Sequence, residues 1–138
     1  MLVPVGTMGA HKVATILVVD DEQPVVDLLT DILEDDGHTV ISAYNGRIAL
    51  EIVAQQFPDL VISDVMMPFV DGIQLCRRLR EEHDARSLPI ILMSAALPPD
   101  LSMCGANAFL GKPFDISRFD DLIALYVRGH GSAHGGTH

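Results

Sequence analysis

The feature that most constrains the fold is an alternation between short aliphatic runs and longer stretches whose apolar residues recur at helical spacing. Ile16-Leu17-Val18-Val19 is the first run, and it ends in Asp20-Asp21-Glu22. Buried parallel strands read as continuous aliphatic runs because helices cover both faces of their sheet. The alternation therefore predicts a parallel sheet with right-handed crossovers, wound on both faces.

Five strands and the helices between them can be placed from this pattern. The strands are predicted at about 16–19, 39–43, 60–63, 90–93 and 108–110. The first helix has Pro24 in its first turn and is closed by Gly37, and the last helix covers about 115–127. The helix residues predicted to face the core are Val25, Leu28, Leu29, Ile32, Leu33, Ile48, Ala49, Ile52, Val53, Ile73, Cys76, Leu79, Ile116, Phe119, Leu122, Ile123 and Tyr126.

Length and composition predict one domain. The chain has 138 residues, of which 49% are hydrophobic and only 5% aromatic, so aliphatic side chains fill the predicted core. Residues 1–12 read as a flexible leader and residues 13–128 as the folded domain. Residues 129–138 form a Gly/His tail that is predicted to be disordered, because this composition cannot bury enough apolar surface.

Charge and apolar run length argue against several classes of function. The net charge of -10 repels nucleic acid phosphates, so direct nucleic acid binding is not expected. No apolar run approaches the roughly 20 residues that cross a bilayer, and no signal peptide is recognisable, so no membrane partner is expected. Cys76 and Cys104 form no C-x-x-C pair and are predicted to be reduced thiols in a cytoplasmic protein.

Polar residues stand where four of the five predicted strands end. Asp20 and Asp21 follow the first strand, Asp64 the third, Ser94 the fourth, and Lys112 lies just beyond the fifth. They should converge, because ligands bind at the carboxyl ends of the strands in such a sheet. Three carboxylates repel one another unless a cation lies among them, and oxygen ligands suit Mg²⁺. A carboxylate beside Mg²⁺ and a lysine can attack phosphorus to give an aspartyl phosphate.

The motifs around these residues resemble, in order, the receiver domain of two-component response regulators. They are Leu17-Val18-Val19-Asp20-Asp21-Glu22, Ser63-Asp64-Val65-Met66-Met67-Pro68 with Asp71-Gly72, Met93-Ser94-Ala95 and Lys112-Pro113-Phe114. The resemblance covers about residues 13–128 and implies an α/β fold of the flavodoxin-like type, a doubly wound five-stranded parallel sheet in the order 2-1-3-4-5. It also implies a single-domain response regulator, and not an enzyme, that accepts a phosphoryl group from a phosphohistidine. The donor would be a histidine kinase or a histidine phosphotransfer protein, and the output would follow by docking or by relay of the phosphoryl group.

The same resemblance assigns roles to the reacting residues. Asp64 would be the phosphoacceptor, Ser94 the switch hydroxyl and Lys112 the charge partner of the phosphoryl oxygens. Phe109 matches an aromatic position whose rotamer follows the movement of the hydroxyl. A cis bond before Pro113 is also implied, since only X-Pro bonds make the cis form cheap.

The resemblance also implies a metal site and two positions that set the lifetime of the phosphoryl group. Mg²⁺, with Mn²⁺ able to substitute, would be held by Asp20, Asp21, Asp64 and the backbone carbonyl of Met66. The lifetime positions are Met66 and Ala96, and neither side chain can hold a water strongly. The phosphoryl group is therefore expected to be long-lived.

The segment between Ser94 and Lys112 departs from the pattern of the family. It is about one helical turn shorter than relatives usually show. The fourth helix is expected to be a stub from about Pro99 to Met103, since Pro98-Pro99 allows no earlier start. Two interpretations remain open: an altered face for output and dimer contacts, or a harmless deletion in a surface loop.

Two other functions fit part of the pattern. A phosphorylation-independent receiver-like scaffold would have no physical need for the complete set of acids, hydroxyl and lysine. A phosphatase of the haloacid dehalogenase type also uses an aspartate at a strand end, but it needs a second aspartate where Met66 stands.

The docking surface for the donor is predicted near Gln23, Pro24 and Pro113, because the donor histidine must reach Asp64. The downstream protein is not identified by the sequence.

Overall fold

The computed structural model describes residues 13–82, 87–95 and 104–135. Its strands are β1 (Thr15–Val19), β2 (Thr39–Ala43), β3 (Leu60–Asp64), β4 (Ile90–Ser94) and β5 (Ala108–Gly111). The helices in the described part are α1 (Gln23–Asp35), α2 (Gly46–Gln55), α3 (Gly72–Glu82) and α4 (Ile116–Gly135). The predicted leader and the predicted stub between β4 and β5 lie outside the described residues.

Every pair of neighbouring strands runs parallel, in the order β2-β1-β3-β4-β5. The flavodoxin-like sheet predicted from the sequence is therefore confirmed. The strand order reverses where β1 and β3 lie side by side, and ligands bind at such a point in this class of sheet. Asp20 directly follows β1 and Asp64 is the last residue of β3.

Helices cover both faces of the sheet, so the core has two layers. On one face, Val18 of β1 belongs to the same buried cluster as Leu29 of α1 and Phe119 of α4. On the other face, Leu17 of β1 clusters with Leu79 of α3. Successive side chains of a strand point to opposite faces, and this is why adjacent residues of β1 serve different layers.

Helix α1 begins and ends at residues that its sequence marks. Pro24 lies in the first turn, where a helix needs no backbone N–H. Gly37 adopts φ 92°, and its N–H donates to the carbonyl of Glu34 at 2.9 Å. The prediction that Gly37 closes this helix is confirmed.

Two helix residues predicted to face the core are instead exposed. Leu28 is exposed on α1, where Val26 and Leu29, three positions apart, form the buried stripe. Residues three and four apart share a helix face, so Leu28 falls outside that stripe. Ile116 is exposed as well, since it opens α4 ahead of Phe119, which is fully buried.

Helix α4 is longer than the sequence predicted. It runs to Gly135, whereas we expected it to end near Val127 and residues 129–138 to be disordered. The helix therefore does not end where the sequence predicted, and residues 136–138 of the predicted tail lie outside the described part of the chain. Residues added to an existing helix do not carry the free-energy cost of helix nucleation. Each glycine among them still costs about 1 kcal/mol relative to alanine.

Cys76 and Cys104 are buried and form no disulfide. The thiol of Cys76 donates to the backbone carbonyl of Cys104 at 3.2 Å. Burial, with a smaller contribution from Cys104, raises the pKa of Cys76 to about 12. A thiol held in this neutral form packs as a small apolar side chain and is a poor nucleophile.

None of the helices in residues 13–82, 87–95 and 104–135 combines the length and the apolar character needed to cross a bilayer.

Candidate functional site

Three carboxylates converge at the carboxyl end of the sheet. Asp20 and Asp21 follow β1, and Asp64 ends the neighbouring strand β3. Carboxylate oxygens of all three lie within 4.8 Å of one another. Asp20 and Asp64 are only 1% and 5% exposed. Buried carboxylates this close ionise together only at a high cost, unless positive charge compensates them.

The Lys112 ammonium supplies part of this compensation. Its Nζ lies 2.9 Å from Asp20 Oδ2, 3.3 Å from Asp64 Oδ1 and 3.4 Å from Glu22 Oε1. The residue follows β5, so its long side chain reaches past β4 to the ends of β3 and β1. Its backbone is held by an N–H donated to the carbonyl of Ser94 at 2.9 Å.

The site nevertheless has an excess of negative charge. Burial raises the pKa of Asp64 above its usual value, the charge of Asp20 raises it further, and Lys112 offsets this only in part. For Lys112, burial alone would lower the pKa, but the hydrogen bond and charge of Asp20, together with Asp64, raise it overall. Lys112 therefore stays protonated. It pairs with Asp20, Glu22 and Asp64, and the carboxylate of Asp21 lies beside those of Asp20 and Asp64. This imbalance favours a second cation.

An open cavity of about 380 Å³ lies over these side chains. It is lined by Asp21, Glu22, Asp64, Met66, Ser94, Ala95 and Lys112. Ser94 is buried at the end of β4, whereas Met66 is exposed at the rim. The cavity has room for a small anion and several waters, at about 30 Å³ for each water.

Backbone contacts fix the position of the central carboxylate. The hydroxyl of Ser63 donates to the backbone carbonyl of Asp64 at 2.9 Å. The N–H of Val65 donates to the carbonyl of Met93 at 2.8 Å, and the carbonyl of Val65 accepts from the N–H of Gly72 at 2.9 Å. Asp64 is therefore tied both to β4 and to the start of α3.

The part of the chain that carries the site matches a known family of sequences. Residues 16–124 match the family described as the response regulator receiver domain. The chain belongs to this family. Receiver domains are signalling domains of two-component systems that interact with a histidine kinase or a phosphotransfer protein, and they are not generally classed as enzymes.

Solved structures of receiver domains have the same fold as this chain. The receiver domain of a signal transduction histidine kinase from Syntrophus aciditrophicus is 35% identical, with a TM-score of 0.77 over 84% of this chain and 91% of that one. The chemotaxis protein CheY4 of Vibrio cholerae is 28% identical, with a TM-score of 0.76 over 81% and 97%. NtrX from Brucella abortus is also 28% identical, with a TM-score of 0.77, but the match covers 90% of this chain and only 28% of NtrX.

Phe109, which the sequence named as a switch residue, is not among the residues that line the acidic cavity of this receiver domain. Phe109 is half-buried on β5, where it pairs with Leu92 and packs against the core layer of α2 and α3. Ala96, expected to influence the lifetime, lies outside the described residues. The expected cis bond between Lys112 and Pro113 is present.

Two residues, Glu22 and Gly72, take part in the site although sequence reasoning assigned them no role there. Glu22 joins the ion pairs of Lys112, and the Asp20-Asp21-Glu22 run was its only signal. Gly72 was predicted only as the start of a helix. A Cβ atom at Gly72 would lie 2.3 Å from the carbonyl oxygen of Asp64, so α3 approaches the end of β3 backbone to backbone. The Asp71-Gly72 pair in the motif marked the turn but not this contact.

Proposed function

We propose that Asp64 accepts a phosphoryl group from a phosphohistidine in a Mg²⁺-dependent reaction, and that the domain then signals by docking or by passing the group onward. One observation supports this most strongly. Asp64 opens into the cavity with Lys112 Nζ 3.3 Å away and the carboxylates of Asp20 and Asp21 beside it. A carboxylate acting as nucleophile needs this combination of access and positive charge.

The donor set fits a divalent cation that prefers oxygen ligands. Asp20, Asp21 and Asp64 can each present an oxygen to one ion, and the open cavity leaves space for waters. The proposed ligands are these three carboxylates and the backbone carbonyl of Met66, and Mn²⁺ is expected to substitute for Mg²⁺. When bound, the ion supplies positive charge that neutralises the carboxylates and the equatorial phosphoryl oxygens.

The proposed step is an in-line transfer. A carboxylate oxygen of Asp64 forms a bond to phosphorus while the bond between phosphorus and the imidazole nitrogen breaks, and the electron pair stays on the imidazole. Lys112 holds one phosphoryl oxygen through its ammonium, and the Ser94 hydroxyl donates to another. The backbone ties of Asp64 keep its carboxylate aimed into the cavity, so little reorganisation is needed.

The donor protein is proposed to dock beside the cavity, on α1 and the segment after β5. An apolar cavity of about 330 Å³ lies there, lined by Val25, Leu28, Ala95, Lys112, Pro113 and Phe114. Leu28 is exposed, and the rings of Phe114 and Phe119 stack with centroids 5.6 Å apart, which fixes the floor of this surface. Gln23 and Pro24 extend the surface at the start of α1.

We further propose a cytoplasmic location, in keeping with the reduced thiols of Cys76 and Cys104.

Incubation with acetyl phosphate and Mg²⁺ tests the proposal. The intact mass is expected to rise by one phosphoryl group in the wild type and in the control Glu51→Gln, which removes an exposed carboxylate of α2. Asp64→Asn should show no gain, and chelation of Mg²⁺ should prevent it in the wild type. A wild-type protein that gains no mass would favour the phosphorylation-independent scaffold, and steady turnover of a small phosphate ester would favour the phosphatase.

A further inference from the structure

Phe69, in the loop after β3, is an exposed aromatic residue in a costly backbone conformation. Its φ is 68°, in the left-handed region, and its side chain is 78% exposed. This conformation is unfavourable for a bulky residue, and an exposed ring returns almost no burial energy to the fold. The loop turns back here to reach α3, where the N–H of Gly72 donates to the carbonyl of Val65 at 2.9 Å. The turn needs no bulky side chain, so the exposed ring is a candidate contact surface.

The ring is held in place from the side of α2. The guanidinium of Arg47 lies over Phe69, 6.0 Å from the ring centroid. A Cβ atom at Gly46 would lie 2.4 Å from the carbonyl oxygen of Val70, so α2 and this loop meet backbone to backbone. The aromatic and the cation are therefore presented together on a rigid support.

A groove of about 330 Å³ continues from the ring along α3. It is lined by Phe69, Val70, Gln74, Arg77, Arg78 and Glu81. The arginines outnumber the glutamate in this lining, and Arg47 adds positive charge on the other side of the ring. The protein as a whole carries a net charge of -10, so three guanidinium groups around one ring and groove stand out from a mainly acidic molecule.

We propose that Phe69, Arg47, Arg77 and Arg78, here called the Phe69 patch, form a docking surface for an acidic segment of a partner protein. An apolar side chain of that segment would pack on the Phe69 ring, and neighbouring carboxylates would pair with the guanidinium groups. The patch shares no residue with the lining of the acidic cavity. The inference is therefore independent of phosphoryl transfer and would stand if Asp64 were not phosphorylated.

Selection of random peptides displayed on phage tests the assignment. The library is first depleted on the double variant Phe69→Asn/Arg78→Glu and then selected on the wild type. The enriched peptides are expected to carry Asp or Glu next to Leu, Phe or Trp. A synthetic peptide of the consensus should bind about tenfold more weakly to Phe69→Asn and to Arg78→Glu than to the wild type. Asn tolerates a positive φ, so Phe69→Asn should unfold at a temperature no lower than the wild type.

Two control variants test whether binding needs the Phe69 patch itself, or only some exposed aromatic residue or some surface arginine. Phe57→Ala removes another exposed aromatic, located just after α2, and Arg118→Glu reverses an exposed arginine of α4. Both should bind the peptide as the wild type does. Three results would overturn the proposal: no enrichment after depletion, enrichment of neutral or basic sequences, or self-association of the wild type that Phe69→Asn abolishes. The last result would make a second copy of this chain the occupant.

Discussion

Among single residues, Gly72 sets how closely α3 approaches Asp64, the proposed phosphoacceptor, although Gly72 has no side chain. Its Cβ position lies 2.3 Å from the carbonyl oxygen of Asp64 and 2.9 Å from Cα of Val65. Both neighbours are backbone atoms that cannot rotate away, so any side chain must push α3 from the end of β3.

Gly72→Ala is expected to lose stability and phosphoryl acceptance together. Overpacking of this kind costs about 2 kcal/mol, and the displaced Asp64 should react at least about tenfold more slowly with acetyl phosphate. Urea unfolding and the rate of mass gain measure the two effects. Gly111→Ala is the control, because its Cβ would meet only the Phe109 ring at 3.8 Å. Equal behaviour of the two variants would show that the close approach is unimportant.

Met66 is proposed to act on a different property, the lifetime of the phosphoryl group. It is exposed at the rim of the acidic cavity and offers no strong hydrogen bond to an attacking water. Met66→Asn should shorten the half-life of the phosphorylated protein about tenfold, which corresponds to ~1.4 kcal/mol of barrier. Met66→Leu should leave it unchanged. The measurement is the loss of phosphoryl mass with time after removal of acetyl phosphate, and loss from the wild type within seconds would contradict the expected long life.

Between elements, Arg80 of α3 joins the segments that lead into β4 and β5. Its guanidinium donates to the carbonyl of Leu88 at 2.7 Å, to the carbonyl of Gly105 at 2.8 and 3.1 Å, and to Asn107 Oδ1 at 3.0 Å. The same Asn107 oxygen accepts from the N–H of Ile90 at 2.8 Å. These contacts lie at the amino ends of the strands, away from the acidic cavity.

Arg80→Met is therefore expected to lower the stability of the fold and to leave phosphorylation at the acidic cavity unchanged. The loss of these charge-assisted hydrogen bonds, of which the one to the Leu88 carbonyl is partly buried and the others are exposed, should lower the free energy of unfolding by about 2 kcal/mol. Urea unfolding measures this change, with Arg118→Met as the exposed control at no more than about 0.5 kcal/mol. The extent of phosphorylation by acetyl phosphate should not change. A variant as stable as the control would show that the network contributes nothing.

The pairing of α1 with α4 brings like charges together. Asp31, Asp35, Asp36 and Asp120 line one cavity of about 430 Å³. Partial burial, then the charges of Asp36 and Asp121, raise the pKa of Asp120. An acid whose pKa is raised by folding stabilises the folded state only while it is protonated. That stability is lost as the pH rises through its folded-state pKa, so ionised Asp120 destabilises the protein at pH 7.

Asp120→Asn is expected to stabilise the protein slightly at pH 7. The gain should be no more than about 0.5 kcal/mol, because the group is largely exposed and screened by solvent. It should shrink in high salt and as the pH falls towards the raised pKa of Asp120, where the carboxyl protonates. Urea unfolding across these conditions checks the prediction, with Glu51→Gln as the control. A variant less stable than the wild type at pH 7 would contradict it.

For the molecule as a whole, the position and parallel arrangement of the strands could be predicted from the sequence. The contacts made by long, flexible side chains could not. Aliphatic runs such as 60–63 define buried strands by themselves, and alternation with helices then fixes their parallel arrangement. Because parallel strands place their carboxyl ends at one edge, the convergence of Asp20, Asp64 and Lys112 followed from sequence. The ion pair of Lys112 with Glu22 did not follow, since it depends on the path of a flexible side chain.

Other features depended on packing details that no periodic pattern contains. Leu28 has the right spacing for the core but falls just outside the buried stripe of α1. The extension of α4 to Gly135 runs against its glycine-rich composition. The exposed Phe69, with its positive φ, follows Pro68 in a motif whose residues gave no sign of the groove beside it.

Direct chemical location of the phosphoryl group tests the central claim that Asp64 is the acceptor. Sodium borohydride reduces an aspartyl phosphate to homoserine, and tandem mass spectrometry then identifies the position of that residue. After loading with acetyl phosphate and Mg²⁺, homoserine is expected at position 64 and at no other aspartate. Homoserine at Asp20 or Asp21, or an unmodified peptide around Asp64 in a protein that has gained phosphoryl mass, would contradict the account.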